Sequence, residues 1–338
     1  MKNKNRKHKI INRIIGLIFI FLIVSYFIPT PYMLVKPGIA QELSPLVTVE
    51  NAKKGEISGA FMLTAVQSKR ATIFDLVKVF VTNPEGVEIT PFREQLPEDM
   101  EMEEYIKIMG DLMEESKLKA QAVAFEKAGY DYKVSGKGAE VVEVMKDGSA
   151  SDKLKNGDII QSIDGKKVEL ATDAVQLIRS HDIGEKVNIK VKRDDKIKSY
   201  QLKTIEIENQ PGKPSVGIFI TTKDLNYEFP RNVKFDTRNI IGPSAGGVFT
   251  LEIYNQLSDK DITGGQRIAG TGTIASDGTI GRIDGILQKI IAADKARADL
   301  FFVPKENYET AQKTTRDIKL VSIENIDDAL DYLKKNVY

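Results

Sequence analysis

Gly242-Pro243-Ser244-Ala245-Gly246-Gly247, followed after a glycine-rich stretch by Asp284-Gly285-Ile286-Leu287-Gln288-Lys289, is the pair of segments from which the rest of the chain can be read. A serine hydroxyl is a poor nucleophile until a base takes its proton. The usual base is histidine, and the two here are His8, in a charged N-terminal tail, and His181, in a different module from Ser244. Cysteine is absent, so a Ser–Lys pair is the one nucleophile–base arrangement the sequence offers, and such pairs are a known variant of triad logic. Pro243 sits where a helix would begin, and Val248, Phe249, Leu251, Ile253, Tyr254 and Leu257 supply its apolar face. A serine at that entrance has free backbone amides beside it and the positive end of the helix dipole beneath it. Those amides, around Ser244 and Ala245, are the donors that hold the oxyanion of an acyl-transfer intermediate. The plainer alternative is a turn capped by serine.

In a helix expected from Asp284, Lys289 shares a face with Gly285, Ile286, Ala292, Ala293 and Ala296, all small or apolar. An ordinary lysine is charged at neutral pH, and making it neutral there costs roughly 4–5 kcal/mol. Burial among apolar atoms lowers that cost and makes the amine a competent base. The alternative is a lysine whose stem runs along the helix to water. Between serine and lysine, Gly270-x-Gly272-x-x-Ala275 superficially fits a dinucleotide fingerprint. Ser276-Asp277-Gly278 starts a turn where that motif requires a helix, so a β-hairpin is expected instead. With no Walker A sequence and no H-E-x-x-H, neither ATP nor zinc is indicated, and no cofactor is expected.

At 338 residues the chain is long enough for two domains. The net charge of +1 is scattered, which argues against a nucleic-acid partner. The asymmetry lies at the N-terminus, where Lys2, Lys4, Arg6, Lys7, Lys9 and Arg13 precede an apolar run over 14–28. The run is short for a span, though Tyr32 to Val35 and Ile10-Ile11 can extend it. The reading is a cytoplasmic basic tail over 1–13 and a single-pass signal anchor over 14–35, with everything beyond outside the cell membrane. A cleaved signal peptide is the rival, but no small-x-small site follows the run.

Residues 135–202 have the pattern of a small β-rich module. Leu154-Lys155-Asn156-Gly157-Asp158-Ile159-Ile160-Gln161-Ser162-Ile163-Asp164-Gly165 is a turn, a buried strand and an Asp-Gly hairpin turn. A short amphipathic helix follows from Thr172 to Ser180, and Val187, Ile189 and Val191 alternate as a half-buried strand. On either side lie strands at 58–66, 215–221, 233–235, 300–303 and 318–322, with helices from Met102 and Ile326, so the larger domain is α+β. Met102, Tyr105, Ile106, Met109, Leu112 and Met113 fall at helical spacing.

The L-x-x-G-D-x-I-x-x-I-D-G segment resembles the signature of PDZ domains in bacterial proteases. Such domains take an extended peptide as an added strand. The resemblance places the carboxylate-capturing loop at Gly136, Lys137, Gly138 and Ala139, with a plain connector as the alternative. Gly-Pro-Ser-Ala-Gly together with 269–293 resembles the proteolytic domain of Lon proteases. That resemblance implies Ser244 as nucleophile, Lys289 as general base, Thr271 as the hydroxyl orienting the lysine, and Ala245 and Gly242 as supporting positions. It divides the chain into a Lon-type domain over 36–131 and 206–338, interrupted by a PDZ domain over 132–205. The whole arrangement is similar to the membrane-anchored SepM/YlbL-type proteases, which implies an ATP-independent serine endopeptidase. The implied substrates are small secreted or membrane-anchored peptides and proteins, such as signalling peptides or cell-division inhibitors. It also allows a homo-oligomer, which nothing in the sequence demands. A non-catalytic PDZ adaptor on a degenerate Lon-type fold is the alternative. Several Lon domains carry an acidic residue just before Gly-Pro-Ser, and this chain has Ile241 there.

Overall fold

Helix α1 (Lys2–Phe27) gives way to strand β1 (Pro29–Glu42) at a point set by proline chemistry. Pro29 and Pro31 lack the N–H that a continuing helix needs. The expected anchor over 14–35 is therefore corrected: Met33, Leu34 and Val35 are buried strand residues, and α1 runs unbroken across the expected tail boundary at 13. The apolar run over 14–28 spans only about 22 Å as helix, against a hydrocarbon core of about 30 Å. Among the described residues no helix is long and apolar enough to cross a membrane. The computed structural model describes residues 2–52, 58–92, 100, 102–207, 210–237, 240–314 and 316–337. These fall into two units, Met1–Asp131 with Phe229–Tyr338, and Tyr132–Glu228.

The first unit continues through β2 (Val47–Val49), β3 (Ala60–Thr72), α2 (Ile73–Thr82), β4 (Glu88–Pro91) and α3 (Met102–Lys127). The apolar start of β3, from Ala60 to Leu63, is buried on both faces, as an interior strand requires. Its other end passes directly into α2, where Thr72 and Asp75 form a reciprocal capping box.

The second unit holds β5 (Lys133–Ser135), β6 (Ala139–Val144), β7 (Ile159–Ile163), β8 (Lys166–Lys167), α4 (Ala171–Arg179), β9 (Lys186–Arg193) and β10 (Lys196–Lys203), then β11 (Ile205–Ile207), β12 (Gln210–Ser215), β13 (Ile218–Thr222) and β14 (Asn226–Glu228). Asp164 and Gly165 both have positive φ in the β7–β8 turn, the twist that a two-residue hairpin favours. The sheet order is β10-β9-β7-β6-β13. The sequence pattern closes this module at 205 and gives the strand near 215–221 to the larger domain. Instead β13 pairs antiparallel with β6, and the unit extends to Glu228. Buried Asp158 is gripped by Arg193 at 2.6 Å through both oxygens. His181, expected in solvent, lies 3.0 Å from Asp164 with its side chain only 17% exposed.

The chain then re-enters the first unit with β15 (Val233–Phe235), a 3-10 turn (Pro243–Ala245) and α5 (Gly246–Leu257). Next come β16 (Arg267–Gly270), β17 (Thr273–Ile274), β18 (Ile280–Gly281), α6 (Ile286–Lys295), β19 (Leu300–Pro304), α7 (Lys305–Ala311), β20 (Lys319–Ile323) and α8 (Ile326–Asn336). The main sheet has the order β20-β19-β16-β3-β1-β4. It is parallel from β20 to β3 and antiparallel from β3 to β4. The architecture is mixed α/β. A core of Met62, Ala269, Ile286, Ile290, Ala293, Phe301 and Val303 fixes α6 on the sheet, with Lys289 on that helix. The segment that mimics a dinucleotide fingerprint is a hairpin, β17 paired with β18.

Candidate active site

Ser244 is presented by the 3-10 turn that leads into α5, so the α-helix starts three residues later than the proline suggests. Gly242 makes the turn possible: its φ of +97° and ψ of 151° lie where side chains are strained. Gly242 N–H donates to Met109 O at 3.0 Å, and Ser116 Oγ donates to Pro243 O at 3.0 Å, so α3 holds the turn from one side. From the other side, Gly272 N–H and Thr271 Oγ1 donate to Ser244 O at 2.8 and 3.0 Å. The nucleophile candidate is thus fixed by its backbone while its side chain stays partly open to the cleft.

Lys289 enters from α6, whose first turn follows Gly285 at φ +72°. A side chain at Gly285 would meet Val66 Cγ1 at 2.6 Å, so the helix can approach β3 only with glycine there. Lys289 is 3% exposed, and its Nζ lies 2.8 Å from Ser244 Oγ and 2.9 Å from Thr271 Oγ1. Burial lowers its pKa to about 8, with the Asp284 charge opposing that shift. Among the described residues Lys289 makes no ion pair, so no carboxylate neutralises it.

Proton counting orders the three groups. The single proton of Thr271 is committed to Ser244 O. Towards Lys289, Thr271 is therefore an acceptor, and one N–H of the amine must point at it. A neutral Lys289 then keeps its lone pair for the Ser244 hydroxyl. The arrangement is chemically that of an alcohol with a base in hydrogen-bond contact. Ala245, 5% exposed, follows the serine at the head of α5, where helix amides face outward.

These groups open into a cleft of about 670 Å³ lined by Ser244, Lys289, Thr64, Val66, Met109 and Ile241 among others. Ile241 is 47% exposed and puts an apolar surface at the position before Gly242.

The loop assigned to peptide capture in the second unit is corrected. Lys137 N–H donates to Lys223 O at 2.8 Å, and Gly138 N–H to Glu169 O at 3.1 Å. Lys137 Nζ pairs with Asp224 at 2.8 Å, and Ala139 is buried inside β6. Gly136 stands against the Lys223 strand end, where an added Cβ would meet Glu169 O at 2.5 Å. The Lys137 and Gly138 amides are spent internally, and β6 is flanked on its two edges by β7 and β13. Among the described residues the edge strands of this sheet are β10 and β13, and β13 lies beside α4 and a cavity of about 150 Å³ lined by Val175, Ile178, Val216, Ile218 and Ile220. Gly217, at φ +77°, turns the chain into β13. The signal was present as Pro214-Ser215-Val216-Gly217-Ile218-Phe219-Ile220, a glycine turn before an alternating strand.

Comparisons with known proteins find the same two domain types, although the PDZ match begins inside α3 and ends before β11. A family model for the Lon protease (S16) C-terminal proteolytic domain matches residues 239–335, and one for the PDZ domain matches 117–204. A Lon protease of Metamycoplasma arthritidis is 34% identical over 27% of this chain and 11% of its own length. Lon protease 2 of Bacillus subtilis is 26% identical over 36% of this chain and 21% of its own. This chain therefore matches only a tenth to a fifth of the length of those relatives. The solved PDZ domain of an SdrC-like protein from Listeria monocytogenes is 33% identical, covering 26% of this chain and 92% of that one with a TM-score of 0.25. The chain carries a PDZ domain and a Lon-type (S16) proteolytic domain, the domain content of a PDZ-containing Lon-like serine protease.

Proposed function

We propose that the protein is a serine endopeptidase that needs no nucleotide, with Ser244 as nucleophile and Lys289 as general base. The observation that carries this reading is a buried lysine, without an ion pair among the described residues, 2.8 Å from the serine hydroxyl. Ser244 Oγ attacks the scissile carbonyl carbon as its proton passes to Lys289 Nζ. Backbone amides at Ser244 and Ala245 hold the oxyanion. Collapse breaks the C–N bond, and Lys289 returns the proton to the leaving amine. Water, deprotonated by Lys289, then releases the acyl group from Ser244. Thr271 holds the amine in the productive orientation throughout.

The base works only when neutral. Below about 8 its neutral fraction falls about tenfold per pH unit, so kcat/KM should climb with pH and level off above that value. A pH profile on a flexible peptide measures this, and a flat profile between pH 6 and 9 would count against Lys289. A serine-directed peptide probe gives the more direct test. Labelling at Ser244 that vanishes in Ser244→Ala is expected, whereas an adaptor would stay unlabelled.

The proposal extends to location and substrate. Ile14, Leu17, Phe21 and Phe27 of α1 are exposed apolar side chains, and the basic residues precede them. We read this helix as a lipid-bilayer tether, with its exposed apolar side chains in the membrane and its basic end at the lipid headgroups. Its substrates would be small, extended or membrane-tethered peptides and proteins, since nothing in the chain would unfold a globular one. The PDZ unit would select them by pairing an extended segment with the open edge of β13.

A further inference from the structure

Strand β16 pairs with β3 only from Ala60 to Leu63 and stops at Gly270. Beyond Leu63, no strand among the described residues covers that edge of β3, while its other edge stays paired with β1 as far as Thr72. The vacated lane begins at the catalytic centre: Thr64 Oγ1 donates to Gly270 O at 3.1 Å, and Thr271 is the next residue. The active-site cleft reaches along this lane to Gln67. A second cavity, of about 740 Å³, shares Val66, Gln67, Tyr105, Met109 and Ile241 with it and continues to Arg70.

The far wall is one face of α3. Met102, Tyr105, Ile106 and Met109 are spaced as a single helical stripe, and all four line the second cavity together with Phe92. A stripe of this kind usually lies in a core, yet Ile106 is 48% exposed and the other three are only half-buried. The two cations at the end of the lane are already engaged. Lys69 pairs with Asp75 at 2.8 Å, and Arg70 donates to Thr30 O at 2.9 Å and lies over the Phe92 ring. The groove therefore offers backbone pairing and apolar surface, with both of these cations engaged.

We propose that this lane is an extended substrate channel. The peptide adds as a strand to the open edge of β3 from Thr64 to Arg70, and a large apolar side chain of the substrate enters the pocket formed by Met102, Ile106 and Phe92. At about 3.3 Å per residue, that side chain lies about four positions from the scissile bond, on one side of it. The inference rests on the proteolytic reading above and adds a preference that reading does not contain.

The test uses the full-length protein and quenched-fluorescent peptides sharing one cleavable core. One peptide is the core alone; longer ones carry Leu, Gly or Asp at each of the third to sixth positions, on either side of the bond. The long Leu peptide of one side should exceed both the short core and its Asp counterpart by at least about tenfold in kcat/KM. Ile106→Lys should erase that advantage and leave the short core unchanged. Equal rates for all peptides, or an advantage that survives Ile106→Lys, overturns the channel. If no peptide is cleaved, the proteolytic reading fails separately, and the channel is judged by fluorescence anisotropy on Ser244→Ala. There, tighter binding of the long Leu peptide than of the Asp peptide supports it, and equal binding refutes it.

Discussion

Lys289→Met lowers kcat/KM by at least about 10⁴-fold and, at pH 7, raises the melting temperature of the protein. The first half follows from the site, where among the described residues no other side chain contacts Ser244 Oγ as a base. The second half follows from the origin of the lowered pKa. A lysine that titrates at about 8 when folded and at 10.5 when unfolded binds its proton more weakly in the native state. Between those values the unfolded chain holds more protons, so stability rises with pH through that window. Below about pH 8 the full penalty of roughly 3 kcal/mol is present. Methionine fills much the same space without the charge. It gives up the hydrogen bonds to Ser244 and Thr271, about 1 kcal/mol of the gain. The variant should therefore be about 2 kcal/mol more stable at pH 7, and the difference should close as the pH approaches 10.5. Thermal unfolding at pH 7 and 10 together with peptide turnover measures both halves. Turnover within tenfold of the parent removes Lys289 as the base, and a lower melting point at pH 7 removes burial as the cause of its weak basicity.

The catalytic candidates were legible because the chemistry constrains short stretches of residues. Ser244 needs a glycine turn and a helix entrance, and Lys289 needs small apolar neighbours at helical offsets; both requirements are written locally. Pairings between distant segments were not legible. The apolar residues of 32–35 look the same to hydropathy whether they extend a membrane run or form the buried centre of β1, and only the partner strand β3 distinguishes the two. Ile218–Thr222 is legible as a strand but not as part of the second unit, because its partner is β6, far back in the sequence. The consequence reached the function: once β13 covers β6, the amides after Gly136 cannot be the capture loop. In the same way, periodicity identified the apolar face of Met102 to Met113 but not that its first half would be left uncovered beside β3. Helical spacing defines a face, and the tertiary fold decides what meets it.

Glu252→Gln should stabilise the protein above pH 7 and leave proteolysis unchanged. Glu252 lies on α5, about 12 Å along the axis from Ser244 at 1.5 Å per residue, among residues that hold β2 in place. It is 2% exposed, and burial raises its pKa to about 7; the Gln256 hydrogen bond works against that shift and the Asp261 charge adds to it. Gln256 binds it on one side, with Nε2 donating to Glu252 Oε1 and to Val47 O at 2.7 Å, while Gln256 Oε1 accepts from Val49 N–H at 2.8 Å. The sequence showed only a polar residue interleaved in an apolar helix; the closure of β2 over α5 is what buries it. Between 4.5 and about 7 the native state holds a proton that the unfolded chain has lost, so stability falls as pH rises through that window. Above about 7 the penalty is complete, at roughly 3 kcal/mol. Glutamine keeps the acceptor for Gln256 and carries no charge to bury. At pH 8 the variant should melt about 4 to 8 °C higher than the parent, for a net gain of about 2 kcal/mol. At pH 4.5 the two should melt together. A variant that melts lower at pH 8 would mean that the carboxylate is stabilised in its charged form, and Asp261 would then have to be a weaker neighbour than its place beside this helix implies.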